Sequence, residues 1–305
     1  MKKVIVLSIT AFILFLASCA DKKDEKLTVK DIEIFKDTPA WDFAKALEKS
    51  NLRKAKEILS DNGNGGLVNY QDPEFGTTLL MRAISTENYK AVEFLLQNGA
   101  NPNIVAKVGG TALFDAVSHS WKDVAANENP RFVKIMLEYG ADPNIPYCAP
   151  EAKGTISPIE CGTSPLMHAT QRGFEKVKLL VEAGAEIDYK TELGTTAAIK
   201  ALLHSKADVA HYLIVEKKAR VDEPYYYYYL FDRSKINYEK PHYPIELLEN
   251  WLFDLGSKEH KLKMEIVEEF KRQGQDYWSI EKHPKTIERI KKTRPENWEE
   301  YLKKY

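Results

Sequence analysis

The 305-residue chain sets 44 Lys and Arg against 45 Asp and Glu, a formal net charge of −1, so no bulk attraction draws it to a polyanion and no nucleic-acid partner is expected. Its length suits one elongated domain of several similar units.

At the start, Lys2 and Lys3 precede an apolar run from Val4 to Ala17, too short for a comfortable membrane span and laid out like a secretory signal. The run ends Leu16-Ala17-Ser18-Cys19, which resembles the bacterial lipobox. The resemblance implies a signal peptide over 1–18, diacylglycerol on the Cys19 sulfur and a flexible tether over 19–37. A plain signal peptide or an uncleaved anchor is the alternative. Two acyl chains anchor durably where one is marginal. Ala20 after the Cys implies an outer-membrane lipoprotein facing the periplasm. Asp21 close behind keeps the inner membrane open, and the charged stretch 21–25 keeps the cell surface open.

The next signal is Thr38-Pro39-Ala40-Trp41, which predicts a helix with a capping Thr and Pro at its first position. Asp42 to Lys49 then pairs with Leu52 to Leu59, an N-terminal cap unit over 38–72. From Gly76 a phrase recurs four times, starting at Gly76, Gly109, Gly162 and Gly194: Gly-x-[Thr/Ser]-x-[Leu/Ala]-x-x-Ala. Three copies are followed by a second phrase, Leu95-Leu96-Gln97-Asn98-Gly99-Ala100-Asn101-Pro102-Asn103 and its counterparts ending at Asn144 and Asp188.

Each position has a physical role. Thr78, Thr111, Ser164 and Thr196 offer an oxygen to a free N–H of the first helical turn. Ala83, Ala116, Ala169 and Ala201 allow helix pairs to approach closely. The Leu-rich second helices carry apolar bulk that no single unit can bury. Gly99, Gly140 and Gly184 end a helix in the left-handed conformation, and Lys218 stands at that place in the fifth unit.

These phrases resemble the ankyrin repeat, a 33-residue helix-turn-helix unit. The resemblance implies a mainly α fold: an ankyrin-repeat solenoid of about six stacked units with short β-hairpin fingers and a helical C-terminal cap. Its repeats fill 38–240, as the cap unit, 73–106, 107–145, 159–190, 191–223 and an extended finger over 224–241. Residues 242–305 hold a divergent sixth repeat, to 277, and capping helices. The family's His is replaced by Met81, Phe114, Met167 and Ile199; His168 lies one position later and is not its equivalent. In such a fold, Cys148 and Cys161 fall near the base of a long finger and are placed to form a disulfide, with two free thiols as the alternative. Two Cys without companion ligands do not make a zinc site.

No G-x-S-x-G, H-E-x-x-H, P-loop or glycine-rich dinucleotide turn occurs. The chain is expected to be no enzyme and to need no cofactor or metal. The resemblance implies a monomeric protein-binding module whose partner meets the fingers and first helices. The residues offered for that contact are Phe75 and Arg82 in the second unit, Trp121 in a lengthened turn, Tyr147 in the long finger, and Tyr225, Tyr227 and Tyr229. Trp121 could instead cover the stack's edge, and alternate tyrosines could pack on the cap. The expected role is a lipid-anchored envelope scaffold. The alternative is an immunity protein that neutralises a toxin delivered to the periplasm, and an envelope enzyme comes third.

Overall fold

A computed structural model describes residues 27–61, 66–118, 129–148, 159–226 and 240–305. The signal segment with Cys19, the turn bearing Trp121, and Tyr227 and Tyr229 lie outside them.

Five helix pairs follow one another: α1 (Trp41–Glu48) with α2 (Leu52–Asp61), α3 (Leu79–Ser85) with α4 (Tyr89–Gln97), α5 (Ala112–Val117) with α6 (Arg131–Glu138), α7 (Pro165–Ala169) with α8 (Phe174–Glu182), and α9 (Ala197–Leu203) with α10 (Ala207–His211). First helices pack on first helices, and α6, α8 and α10 form the corresponding outer row. One continuous apolar core runs from Ile32 to Tyr277, since each amphipathic pair leaves a face that its neighbour must cover.

The helix starts are local chemistry. Thr78, Thr111, Ser164 and Thr196 accept from the N–H groups of Met81, Phe114, Met167 and Ile199, each at 3.2 Å. The donors are the residues that replace the family His, and their side chains are buried. The helix begins at Trp41, and its boundary residue Ala40 has no side-chain cap, but Thr38 still acts at this start: its hydroxyl accepts from the Ala40 N–H at 3.3 Å. The same hydroxyl donates to the Phe35 carbonyl at 2.6 Å and so also ties the helix start to the preceding 3-10 turn.

The ends also follow the predicted pattern. Gly99, Gly140 and Gly184 have φ of +89°, +80° and +89°. Lys218 takes the same left-handed place at φ +60° without glycine's freedom. Its unit also holds one residue more. Ala219 N–H reaches the Leu213 carbonyl six positions back, whereas Ala100 reaches Leu95 five back. The excess is absorbed by a π-helical turn over Tyr212–Glu216, which extends α10. Lys218 Nζ forms an ion pair of 2.9 Å with buried Glu269.

The units are also tied outside the core. Asn69 Oδ1 accepts from Asn101 N–H at 2.7 Å while its Nδ2 donates to the Gly99 carbonyl at 3.2 Å. Asn103 does the same to Asp142 and Gly140, and Asn144 to Glu186 and Gly184. Asp188 accepts from Arg220 N–H but has no donor for the second bond. Gln273 closes the series in reverse, accepting from Val221 N–H and donating to the Ala219 carbonyl.

Gln273 belongs to the sixth unit, a 3-10 segment over Pro244–Asn250 followed by α11 (Lys258–Arg272). That unit ends as the earlier ones do, with Gly274 at φ +87°. α12 (Pro284–Thr293) and α13 (Trp298–Lys304) add a small second core of Ile290, Tyr301 and Tyr305. Among the described residues the fingers are not ladders of strands. Three of them have one bridge each: Gln71 with Thr78, Tyr147 with Thr163, and Tyr225 with His242. Their tight turns need glycine, and a Cβ on Gly76 or Gly194 would stand 2.7 Å from a backbone atom of the next finger.

Candidate binding face

The first helices and finger turns form the candidate face, and its side chains change character along the stack. In the first units the charges are matched. Arg82 is buried and pairs with Glu48 at 2.8 Å. Asp115, half-buried on α5, has its carboxyl pushed up to about 7 by burial, with Lys30 pulling the other way. Burial lowers the Lys30 ammonium, while Asp115 and Glu87 both raise it. Thus Lys30, in the segment leading into the first unit, stands within electrostatic reach of units two and three.

The centre is aromatic. Tyr147 stacks on Phe114 with ring centres 4.9 Å apart, and His168 stacks on the same ring at 4.6 Å. His168 also shares a 3.2 Å hydrogen bond with Ser118. Burial depresses its imidazole to about 3, aided by Arg172, Lys176 and Lys200, so the ring is neutral at physiological pH.

The far half is cationic. Lys176 is buried, donates to the Val117 carbonyl at 3.2 Å, and is lowered by burial and then by Arg172 to about 8. Lys200 pairs with Glu160 at 3.5 Å. Exposed His204 is lowered by its partial burial, then by Lys200, Lys206 and Arg172.

Cys148 and Cys161 form a disulfide at the root of the long finger, closing 13 residues of sequence separation. Tyr147 N–H donates to the Thr163 carbonyl at 2.9 Å, and Gly162 N–H returns to Tyr147. The disulfide therefore holds both Tyr147 and Glu160 against the inner face. A covalent loop of this size restricts the unfolded chain by about 3 kcal/mol in the entropic account.

Of the residues proposed from sequence, Tyr147 is half-buried on the face and Phe75 is half-buried against the core. Arg82 is committed to Glu48. Tyr225 is buried, its backbone paired with His242, and so belongs to the packing of the cap. The sequence reading missed Glu48, Asp115, Glu160 and the Lys176–Lys200 neighbourhood, because their meaning depends on which units stack. Only the recurrence of the position before each phrase's Ala, filled by Arg82, Asp115, His168 and Lys200, could have pointed there.

A family model described as ankyrin repeats, three copies, matches residues 43–147 and 122–224. The chain belongs to the ankyrin-repeat family. Such stacks are protein–protein interaction modules, and this one carries the same helical-repeat architecture. No curated protein matches the chain. Among the described residues no group of three His, Cys, Asp or Glu is placed to hold a metal ion, and no helix is long and apolar enough to cross a membrane.

Proposed function

We propose that this ankyrin-repeat protein is a lipid-anchored binding platform of the bacterial cell envelope, holding a protein partner on the inner face of its stack. The observation that carries the binding role is the row of first helices α3, α5, α7 and α9, which places Arg82, Asp115, His168 and Lys200 at equivalent positions of successive units, the last three of them partly exposed. The lipobox-like Leu16-Ala17-Ser18-Cys19 supports anchoring through the first residue of the processed chain. The Cys148–Cys161 disulfide supports an oxidising compartment such as the periplasm. The platform acts as a monomer, tethered by residues 19–37, with the outer membrane as its site.

Two measurements test this. Palmitate labelling should disappear in Cys19→Ala, and unchanged labelling overturns the anchor. Cross-linking in intact cells followed by purification should recover a stoichiometric envelope protein. Its absence at micromolar concentrations of the bait overturns the platform.

A further inference from the structure

At the C-terminal end of the stack, a cleft of about 820 Å³ opens between the sixth unit and α12, a volume in the range of sites that take small ligands. One wall is the 3-10 segment Pro244–Asn250, which supplies Glu246, Leu247 and Glu249; the other is the start of α12, which supplies Lys285, Thr286 and Arg289. The walls are tied where buried Glu249 accepts from His283 N–H at 3.1 Å and where Arg289 donates to the Asn250 carbonyl at 3.0 Å. The charged side chains do not close the space that remains. His242 meets Glu246 at 3.6 Å, but among the described residues no ion pair joins Glu246 to Lys285 or Arg289 across the cleft.

Thr286 decides what the cleft can do. It is 7% exposed and lines the cleft, and its hydroxyl has no hydrogen-bond partner among the described residues. A hydroxyl taken out of water is normally paired, so one left over on a cleft wall is available to a ligand. Lys285 and Thr286 stand i,i+4 and i,i+3 from Arg289, which brings these side chains together on one side of α12. Lys285 Nζ has no partner among the described residues, and the bond to Asn250 uses one of several N–H donors of Arg289. His283 already takes the N–H groups of Lys285, Thr286 and Ile287, so an anion here is held by side chains and not by the helix backbone.

An anion alone would meet Lys285, Thr286 and Arg289 but also the carboxylate of Glu246, and a cation alone would meet the reverse. A ligand carrying both charges suits both walls. We propose that this cleft binds a small zwitterion, an amino acid or short peptide with free ends. Its carboxylate takes the Thr286 hydroxyl, Lys285 and Arg289, its ammonium faces Glu246, and Leu247 and Ile280 offer apolar wall to its side chains. The described lining includes no residue of α3, α5, α7 or α9, so this site does not depend on the role given to the inner face.

The probe is tri-alanine, titrated into the full chain by calorimetry beside N-acetyl-tri-alanine, which lacks the ammonium, and tri-alanine amide, which lacks the carboxylate. Tri-alanine should bind in the millimolar range, and each blocked peptide about tenfold more weakly. Thr286→Val keeps the side chain's shape and removes the hydroxyl. It should weaken tri-alanine about fivefold without lowering the urea midpoint of the free protein, because no bond within the protein is lost. Exposed Lys285→Met should weaken tri-alanine and leave tri-alanine amide unaffected, whereas Glu246→Gln should weaken tri-alanine and leave the acetylated peptide unaffected. No saturable binding of tri-alanine overturns the proposal, and so does equal binding of the three peptides. Unaltered tri-alanine binding in both Thr286→Val and Lys285→Met puts the peptide elsewhere on the molecule and overturns it as well.

Discussion

Replacing Gly194 and Gly99 by alanine, one at a time, separates two costs that the repeat glycines carry. Both residues are left-handed, at φ +77° and +89°. Alanine in that region costs roughly 1–2 kcal/mol more than glycine. At Gly99 nothing lies within 4 Å of the added Cβ, so this is the whole effect. At Gly194 the Cβ would stand 2.7 Å from the Pro224 carbonyl oxygen and 3.3 Å from the Tyr225 Cα, both backbone atoms. That finger is pinned by Tyr226 N–H on the Leu193 carbonyl at 2.8 Å and by the Tyr225–His242 bridge, so it cannot retreat freely. Overpacking of this kind adds about 1–3 kcal/mol. With a urea slope of about 3 kcal/mol/M, Gly99→Ala should lower the unfolding midpoint by about 0.5 M and Gly194→Ala by about 1 M. Tryptophan fluorescence suits the assay, because buried Trp251 donates to the Leu202 carbonyl of α9 and so reports on the affected unit. Equal midpoint shifts in the two variants would refute the claim that adjacent fingers touch backbone to backbone.

Three other outcomes are expected. Cys148→Ser/Cys161→Ser should lose up to about 3 kcal/mol of stability, and a non-reducing peptide map of the native protein should show the linked pair; two alkylatable thiols there would contradict it. Asp115 binds its proton more tightly folded (about 7) than unfolded (3.8), so the native state holds more protons between these values and stability should fall as pH rises from about 4 to 7. Asp115→Asn should flatten that slope in pH-dependent urea titrations, and an unchanged slope would show that the carboxyl is solvated. Lys263 runs the other way: burial and Lys282 hold its amine at about 6 against 10.5 unfolded, so the native state binds fewer protons and stability should rise from pH 7 to 9. Lys263→Met should lose that component, although the amine's bonds to the Trp251 carbonyl and the Tyr277 hydroxyl go with it. A rise of undiminished size would mean that Lys263 is not its source.

The parts of the fold that were legible before the structure are those written in local chemistry. Thr78, Thr111, Ser164 and Thr196 cap first helices that begin one residue later, and Gly99, Gly140 and Gly184 end the second helices α4, α6 and α8. Even the irregular Lys218 was readable, since any residue at that place must turn left-handed. Thr38 offers its oxygen to the Ala40 N–H as its residue type suggests, but its second bond, to the Phe35 carbonyl upstream, carries no sequence signal. The hairpins expected of the fingers reduce, among the described residues, to at most one bridge and a glycine turn, because the neighbouring finger supplies further contacts. The binding face was the least legible. Arg82 looked like a free side chain until Glu48 of the preceding unit was placed beside it, 34 positions away in sequence. Lys263 gave no sequence sign either, because the tyrosines around it, Tyr277 and Tyr305, come together only when the cap closes.

The asparagine links between units span 32, 39 and 42 positions of sequence from Asn69, Asn103 and Asn144, yet each ends on the same two backbone groups. Spacing along the chain and spacing along the stack are therefore decoupled: the array keeps count in units and not in residues. Extra sequence can enter a turn or a finger without putting later units out of step. A lineage under pressure to recognise a new partner can lengthen one loop, as between Val117 and Arg131 or between Cys148 and Cys161, while the remaining scaffold keeps its alignment.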